Sequence, residues 1–208
     1  MLCSVAAVLL AVSLSGGNDT SPGAPSPPPA AASLLAPPAP ATPVSGPSAK
    51  GSTPEGKHLP RSRPVRLLIP KISVDAPFTD LAIGPSGRLE PPPADNVNLV
   101  GWHAEGASPG ETGTAIIAGH VDTKTSPAVF ARLSGLVKGD TFHVVRADGS
   151  KASFQVDSAE TFAKDNFPSE RVYGDTPRAQ VRLITCAGSY DRAVKDYTDN
   201  LVVFAHLI

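Results

Sequence analysis

The sequence predicts a mainly β protein, a closed or nearly closed barrel, preceded by a proline-rich N-terminal segment. From Val65 onward, short apolar runs recur and are separated by turn residues, a pattern typical of strands. About seven or eight such runs occupy the last 144 residues, with little helical pattern among them. That number of short strands favours a barrel. The prolines mark a different kind of segment before it, because 13 of the 23 lie before residue 65.

The strands can be placed along the sequence in order. The first two lie in "VRLLIPKISVDAPFTDLAI", and the later ones are "VNLVGW", "GTAIIAGH", "TFHVVRA", "KASFQVDSAET", "AQVRLIT" and "NLVVFAHLI". Turns such as "GPSG", "ASPGETG", "KGD" and "ADGS" separate them. The best helical candidate is "SPAVFARLSGL", and "SERVYG" predicts a single turn of helix. The prediction is thus a barrel with one or two short helices.

Residues 1–17 have the composition of a signal peptide or a membrane anchor. Residues 1–14 are almost uninterrupted apolar positions, which is shorter than the about 20 residues of a spanning helix. The basic residues that usually precede such a core are missing, since the first Lys or Arg is Lys50. We expect an exported protein, anchored on the extracellular face of the membrane or secreted if this segment is cleaved.

Residues 18–64 are rich in Pro, Ala and Ser and poor in bulky apolar side chains. Such a segment cannot bury a core, and its prolines favour extended polyproline II structure. The sequence therefore predicts a disordered linker over residues 18–64 and a folded domain over residues 65–208.

Charge and motifs exclude several classes of function. The net charge is −1 with no basic run, which argues against a nucleic-acid partner. Phosphate-binding glycine loops are missing from the sequence. His103, His120 and Asp122 are possible metal ligands, but they do not form a close-spaced cluster, so we expect neither a metal nor a cofactor.

Cysteine usage raises the question of a reactive thiol. Cys3 lies in the targeting segment, which leaves Cys186 as the single cysteine of the folded part. Exported domains usually carry cysteines in disulfide pairs. Cys186 is therefore either an inert buried thiol or a reactive one.

Two strand-like runs deliver complementary groups. His120 directly follows "TAIIAG", and Cys186 directly follows "QVRLIT". If both ends lie at one barrel rim, the imidazole approaches the thiol, and a neighbouring imidazolium favours the nucleophilic thiolate. From these residues alone, Cys–His catalysis and a buried inert thiol stay equally open.

Three blocks of the sequence resemble the bacterial sortases, specifically the actinobacterial group called class F. They are "SPGETGTAIIAGHVDTKTSPAVFARLSGLVKGD", "NFPSERVYG" and "VRLITCAGSYDRAVKDYTDNLVVFA". The resemblance covers about residues 65–208, with the blocks in the same order. It implies an eight-stranded sortase-type β-barrel and a membrane-tethered cysteine transpeptidase.

The resemblance also implies roles for individual residues. Cys186 would be the nucleophile and His120 the acid and base, while Thr185 would donate a hydrogen bond near the thioester. The better-known sortases carry a catalytic arginine at the start of the last strand, where this sequence has Asn200, which we expect, like Thr185, to bind the substrate. Arg192, in the loop after the nucleophile, is the nearest replacement, because a guanidinium stays charged and offers fixed donors.

The expected reaction is cleavage of a Leu-Pro-x-Thr-Gly-like sorting signal through a thioester acyl-enzyme. The expected partners are surface proteins with C-terminal sorting signals and an amine acceptor, a cell-wall (peptidoglycan) precursor. Two alternatives stay open. One is an exported cysteine hydrolase that releases its product to water, and the other is a non-catalytic cell-wall-binding β-domain.

Overall fold

Eight strands form a closed barrel in the computed structural model, which describes residues 56–85 and 88–208. The strands are β1 (Pro64–Ile69), β2 (Val74–Leu81), β3 (Val100–His103), β4 (Gly113–Gly119), β5 (Thr141–Arg146), β6 (Lys151–Ala163), β7 (Ala179–Asp191) and β8 (Asp196–Leu207). One α-helix, α1 (Ser169–Tyr173), and three 3₁₀ helices, η1 (Pro70–Ile72), η2 (Leu133–Gly135) and η3 (Lys164–Asn166), lie in the connections. The eight-stranded sortase-type barrel with few helices that the sequence predicts is confirmed.

The order of strands around the barrel is β1-β2-β3-β4-β7-β8-β6-β5. Most neighbours are antiparallel, but β2 pairs with β3, and β4 with β7, in parallel. Alternate side chains point inward and fill the core, as the alternating burial of β5 shows. Large apolar side chains dominate this core, among them Leu67, Ile117, Phe142 and Leu183.

A second apolar cluster covers part of the outside of the barrel. Ile116, Ile184, Val202 and Phe204 point outward from β4, β7 and β8, and Val172 of α1 packs on them. The connection between β6 and β7, which contains η3 and α1, therefore shields this face from water. β7 is consequently buried on both faces over most of its length.

The predicted helix in "SPAVFARLSGL" is the element that the structure corrects. The segment forms turns and only the 3₁₀ helix η2. Its backbone is engaged elsewhere: Ala128 N–H donates to Val121 O at 3.1 Å, and Phe130 N–H donates to His120 O at 3.0 Å. These bonds replace the i to i−4 bonds of a helix. They tie the segment to the end of β4.

The folded region begins earlier than the boundary expected at Val65. Leu59 N–H donates to Gly110 O at 2.7 Å, and the guanidinium of Arg61 donates to Ala104 O at 2.7 Å and stacks over Trp102. Residues 57–63 thus run along the barrel. The targeting segment and most of the linker lie outside the described residues. Within residues 56–85 and 88–208, no helix has the length and hydropathy to span a membrane.

Candidate active site

Three polar side chains meet on the outer face of the barrel, beside the second apolar cluster. Ala118 of β4 is paired in parallel with Ile184 of β7, so His120 and Cys186, each two residues further on, reach the same level on the same face. Cys186 is in turn paired with Asn200 of β8. All three are buried and line one pocket, of about 340 Å³ including its mouth.

His120 is held both by its backbone and by its side chain. Its backbone carbonyl accepts the bond from Phe130 N–H, and its Nε2 lies 2.7 Å from the carbonyl oxygen of Pro92. A carbonyl can only accept, so this bond places a proton on Nε2. Pro92 belongs to the β2–β3 connection, which forms one wall of the pocket. His120 also borders a second pocket, on the side of Asp95 and Asp122.

Thr185 fixes the end of β4 against β7. Its buried hydroxyl donates to the carbonyl oxygen of Gly119 at 2.8 Å. Gly119 has no room for a side chain, because an added Cβ would lie 2.7 Å from Cδ2 of Phe130. Because a hydroxyl has a single proton, Thr185 uses its donor to hold the residue before His120. Donation to a thioester, the role predicted from the sequence, stays a prediction.

Asn200 presents an unused donor to the pocket. The residue is 2% exposed, and its Nδ2 has no hydrogen-bond partner among the residues that the structure describes. Side chains directly opposite each other in an antiparallel pair lie about 5 Å apart at Cβ, so this amide is next to Cys186. A buried donor without a partner is costly unless a ligand satisfies it.

A cation also lies next to the sulfur atom of Cys186. Nζ of Lys164, the first residue of η3, is 3.7 Å from Sγ of Cys186 and 2.7 Å from Oδ1 of Asp196. The Lys164 side chain is 12% exposed and that of Asp196 18%. The Lys164–Asp196 ion pair is therefore mostly shielded from solvent, at the point where β6 ends.

Asp122 braces the loop that follows His120. The hydroxyl of Tyr197, on β8, donates to Oδ2 of Asp122 at 2.5 Å. This hydrogen bond, with a smaller contribution from burial, raises the pKa of Tyr197 to about 12. Tyr197 therefore keeps its proton at neutral pH and links the loop to the last strand.

Two arginines that lie near Cys186 in the sequence, Arg192 and Arg182, are outside this arrangement. Arg192 is exposed in the turn between β7 and β8 and is not among the residues that line the pocket. Arg182 is buried further back on β7, where its guanidinium stacks over Phe204 at 4.6 Å, and burial lowers its pKa to about 10. Sequence reasoning missed Lys164, because no motif marks a lysine at the end of β6.

No arrangement for a metal ion accompanies these groups. Within the described part of the chain, no three His, Cys, Asp or Glu side chains are placed to hold one. The pocket is lined by a sulfur atom, an imidazole and an amide donor, and the ammonium of Lys164 contacts the sulfur. Groups of these types can serve as a nucleophile, as an acid and base, and as stabilisers of negative charge.

Comparison with known proteins identifies the family of the chain. Residues 67–208 match the family model of the sortase domain, and the chain therefore belongs to the sortase family, whose members are cysteine transpeptidases that act on sorting signals. No curated protein matches the chain.

Solved sortases share the fold. Sortase A from Corynebacterium diphtheriae is similar with a TM-score of 0.53 and 21% identity, over 71% of this chain and 61% of that one. Sortase C1 of Streptococcus agalactiae, in a complex with MTSET, gives a TM-score of 0.51 and 24% identity, over 69% of this chain and 66% of that one. Sortase C-1 from Actinomyces oris gives 0.51 and 22%, over 70% and 74%. The chain thus spans slightly less than two thirds of the first two structures.

Proposed function

We propose that this chain is an exported, class F-like sortase, which cleaves a Leu-Pro-x-Thr-Gly-like sorting signal and transfers the acyl group to an amine. The observation that carries the proposal is the shared pocket of Cys186, His120 and Asn200 on a sortase-type barrel. The class, the signal and the acceptor rest on the resemblance of the sequence blocks around His120 and Cys186.

The first half of the reaction forms a thioester. The thiolate of Cys186 attacks the scissile carbonyl carbon, and a C–S bond forms while the carbonyl oxygen becomes an oxyanion. When the C–N bond breaks, His120 acts as an imidazolium: it gives one proton to the leaving amine and becomes a neutral imidazole. The proton that the structure places on Nε2 is available for this step once the bond to Pro92 is released.

The second half reverses these roles. An incoming amine loses a proton to His120 and attacks the thioester carbon, and the thiolate of Cys186 leaves. An imidazole in this role must be reached by the departing amine and by the incoming one. His120 borders two pockets, which supports an acceptor amine arriving from the side of Asp122.

The oxyanion requires a donor beside the nucleophile. The unpartnered Nδ2 of Asn200 is suited to this task, since preorganised side-chain amides stabilise such oxyanions in other acyl transfers. The role assigned to Arg192 from the sequence stays a prediction, and it requires the exposed turn to bring the guanidinium to the pocket once a peptide is bound.

The proposal is tested by incubating the reduced, purified chain with a library of sorting-signal peptides and measuring its mass. We expect an adduct equal to the acyl part of the peptide, located on Cys186, and we expect Cys186→Ala to abolish it while the fold is retained. His120→Ala should slow turnover by about 10² to 10⁴-fold or more, because one group serves as both acid and base.

The rival functions give different products. A transpeptidase forms an amide with an added small primary amine, whereas a hydrolase gives the same free acid with or without that amine. A cell-wall-binding domain gives no adduct with any peptide. Arg192→Ala, measured beside these variants, should lose about tenfold or more if the guanidinium acts at the oxyanion.

A further inference from the structure

A lysine ammonium contacts the sulfur atom of the proposed nucleophile, and this ammonium has no part in the reaction proposed above. Nζ of Lys164 lies 3.7 Å from Sγ of Cys186, within hydrogen-bond distance for sulfur. We propose that Lys164 is a catalytic residue, whose ammonium stabilises the thiolate of Cys186 before it attacks the substrate. This inference rests on the function proposed above, because it deepens the account of the same pocket.

The strand register brings the two residues together. Phe162 of β6 is paired with Asn200 of β8, and Asn200 is paired with Cys186 of β7. These three side chains form a row across the outer face. Lys164 is two residues beyond Phe162, so its side chain starts on the same face and next to this row. The contact therefore follows from the barrel itself and not from a chance position of a surface lysine.

Burial makes the ammonium effective at this place. The Lys164 side chain is 12% exposed, and a charge so shielded from water needs partners. Its partners are Oδ1 of Asp196 at 2.7 Å and the sulfur of Cys186. A positive charge fixed beside a thiol favours the thiolate, which is the nucleophile.

The other charged and titratable groups at the thiol come from every neighbouring element. They are His120 after β4, Glu90 in the β2–β3 connection, and Asp196 at the start of β8. Asp196 is bonded to Lys164, so the ammonium offsets the effect of this carboxylate on the thiolate. His120 donates to Pro92, and the ammonium of Lys164 is in direct contact with the sulfur.

The family resemblance assigns the stabilisation of negative charge to one arginine. Here two residues would share this task. Lys164 would stabilise negative charge on sulfur, and Asn200 would stabilise it on the carbonyl oxygen. Arg192 is then not needed for the thiolate. A purely structural role for the Lys164–Asp196 ion pair predicts something else, namely a loss of stability without any change in the pH dependence of the thiol.

The test measures the reactivity of Cys186 without any substrate. The reduced full chain is alkylated with iodoacetamide between pH 5 and 10, and the rate is followed by mass spectrometry of the peptide that contains Cys186. We expect Lys164→Met and Lys164→Gln to slow alkylation at neutral pH by at least about tenfold and to move the midpoint of the pH profile upward. Lys164→Arg keeps the charge and should retain a profile close to that of the wild type.

A matched control is Lys138→Met, because Lys138 is an exposed lysine of the turn before β5. It should leave the profile unchanged. An unchanged midpoint in folded Lys164→Met or Lys164→Gln overturns the proposal. If neither variant folds, the wild type decides alone, because a midpoint at or above that of an ordinary cysteine, about 8.5, also overturns it.

The same proteins are then offered sorting-signal peptides. A wild type that is acylated, with neutral variants whose alkylation profile does not move, would refute the role of Lys164 and leave the sortase function standing. A moved profile without acylation by any peptide would do the reverse. The two failures are therefore distinguishable.

Discussion

Asn200 is the residue whose expected role the structure changes most. From the sequence it is the place where the better-known sortases have an arginine, and a predicted substrate-binding residue. In the structure it is a buried amide, directly opposite Cys186, whose donor has no partner among the described residues. A donor fixed in this way needs no reorganisation when negative charge develops on a substrate.

We therefore expect Asn200→Ala to lower the rate of acylation by about 10² to 10³-fold. Peptide binding should change little, because the donor acts on charge that exists only during the reaction. Single-turnover acylation and peptide affinity are measured separately, with Asn166→Ala, a change at an exposed asparagine, as the control. A near-normal rate in Asn200→Ala, combined with a large loss in Arg192→Ala, would return the role to the arginine.

The positions of single residues could be predicted where those residues directly follow a recognisable strand. His120 and Cys186 each follow an apolar run, and strand ends in a barrel can meet, so their proximity was accessible from the sequence. Lys164 was not, because its contact with sulfur depends on the register of β6 with β8. The bond from His120 to Pro92 depends on the path of a connection, which the sequence pattern does not determine.

Among the elements, β4 depends most on one residue. Gly119 is the last residue of the strand, directly before His120, and an added Cβ would be 2.7 Å from Phe130 and 2.9 Å from Val129. Both side chains are buried, so neither can move away freely. Any shift that relieves this contact also shifts His120.

Gly119→Ala should accordingly lower the free energy of unfolding by about 1–3 kcal/mol, the usual effect of overpacking. We expect turnover to fall more than stability alone explains, at a temperature where the variant is fully folded. Gly139→Ala is a useful comparison, since nothing lies within 4 Å of a Cβ added there, although its positive φ makes some strain unavoidable. Equal turnover in both variants would contradict a positioning role for Gly119.

The elements themselves were mostly visible in the sequence. Alternation of apolar and polar residues marked the strands, and the single turn predicted at "SERVYG" appears as α1. The helix predicted for "SPAVFARLSGL" was wrong. The apolar spacing of this segment is that of a helix, but its backbone donors bond to residues that directly follow β4. Such long-range bonds override local preference, and a single sequence does not display them.

For the molecule as a whole, residues 57–63 are the most informative part of the N-terminal segment. The buried guanidinium of Arg146 donates to the carbonyl oxygen of Pro60. Leu59 packs against the core, and Arg61 forms an ion pair with Glu111. Removal of this segment would leave a buried charged group without one of its acceptors.

We expect a chain that begins at Gly56 to melt at the same temperature as the full chain. A chain that begins at Pro64 should lose on the order of 2 kcal/mol and melt several degrees lower. Thermal unfolding of the three proteins under the same conditions checks this. If the two truncated chains melt together, the contacts of residues 57–63 contribute nothing to stability.

The placement of β8 has a consequence for the order in which the protein is made. This strand follows β6 and β7 in the sequence, yet it lies between them and joins them. Until it has been synthesised, the ends of β6 and β7 have nothing between them, and Lys164 has no reason to lie beside Cys186. Because domains fold as units once their sequence is available, an incomplete chain carries the cysteine but not the assembled pocket. The nascent protein would therefore acquire the assembled pocket only when β8 inserts between β6 and β7.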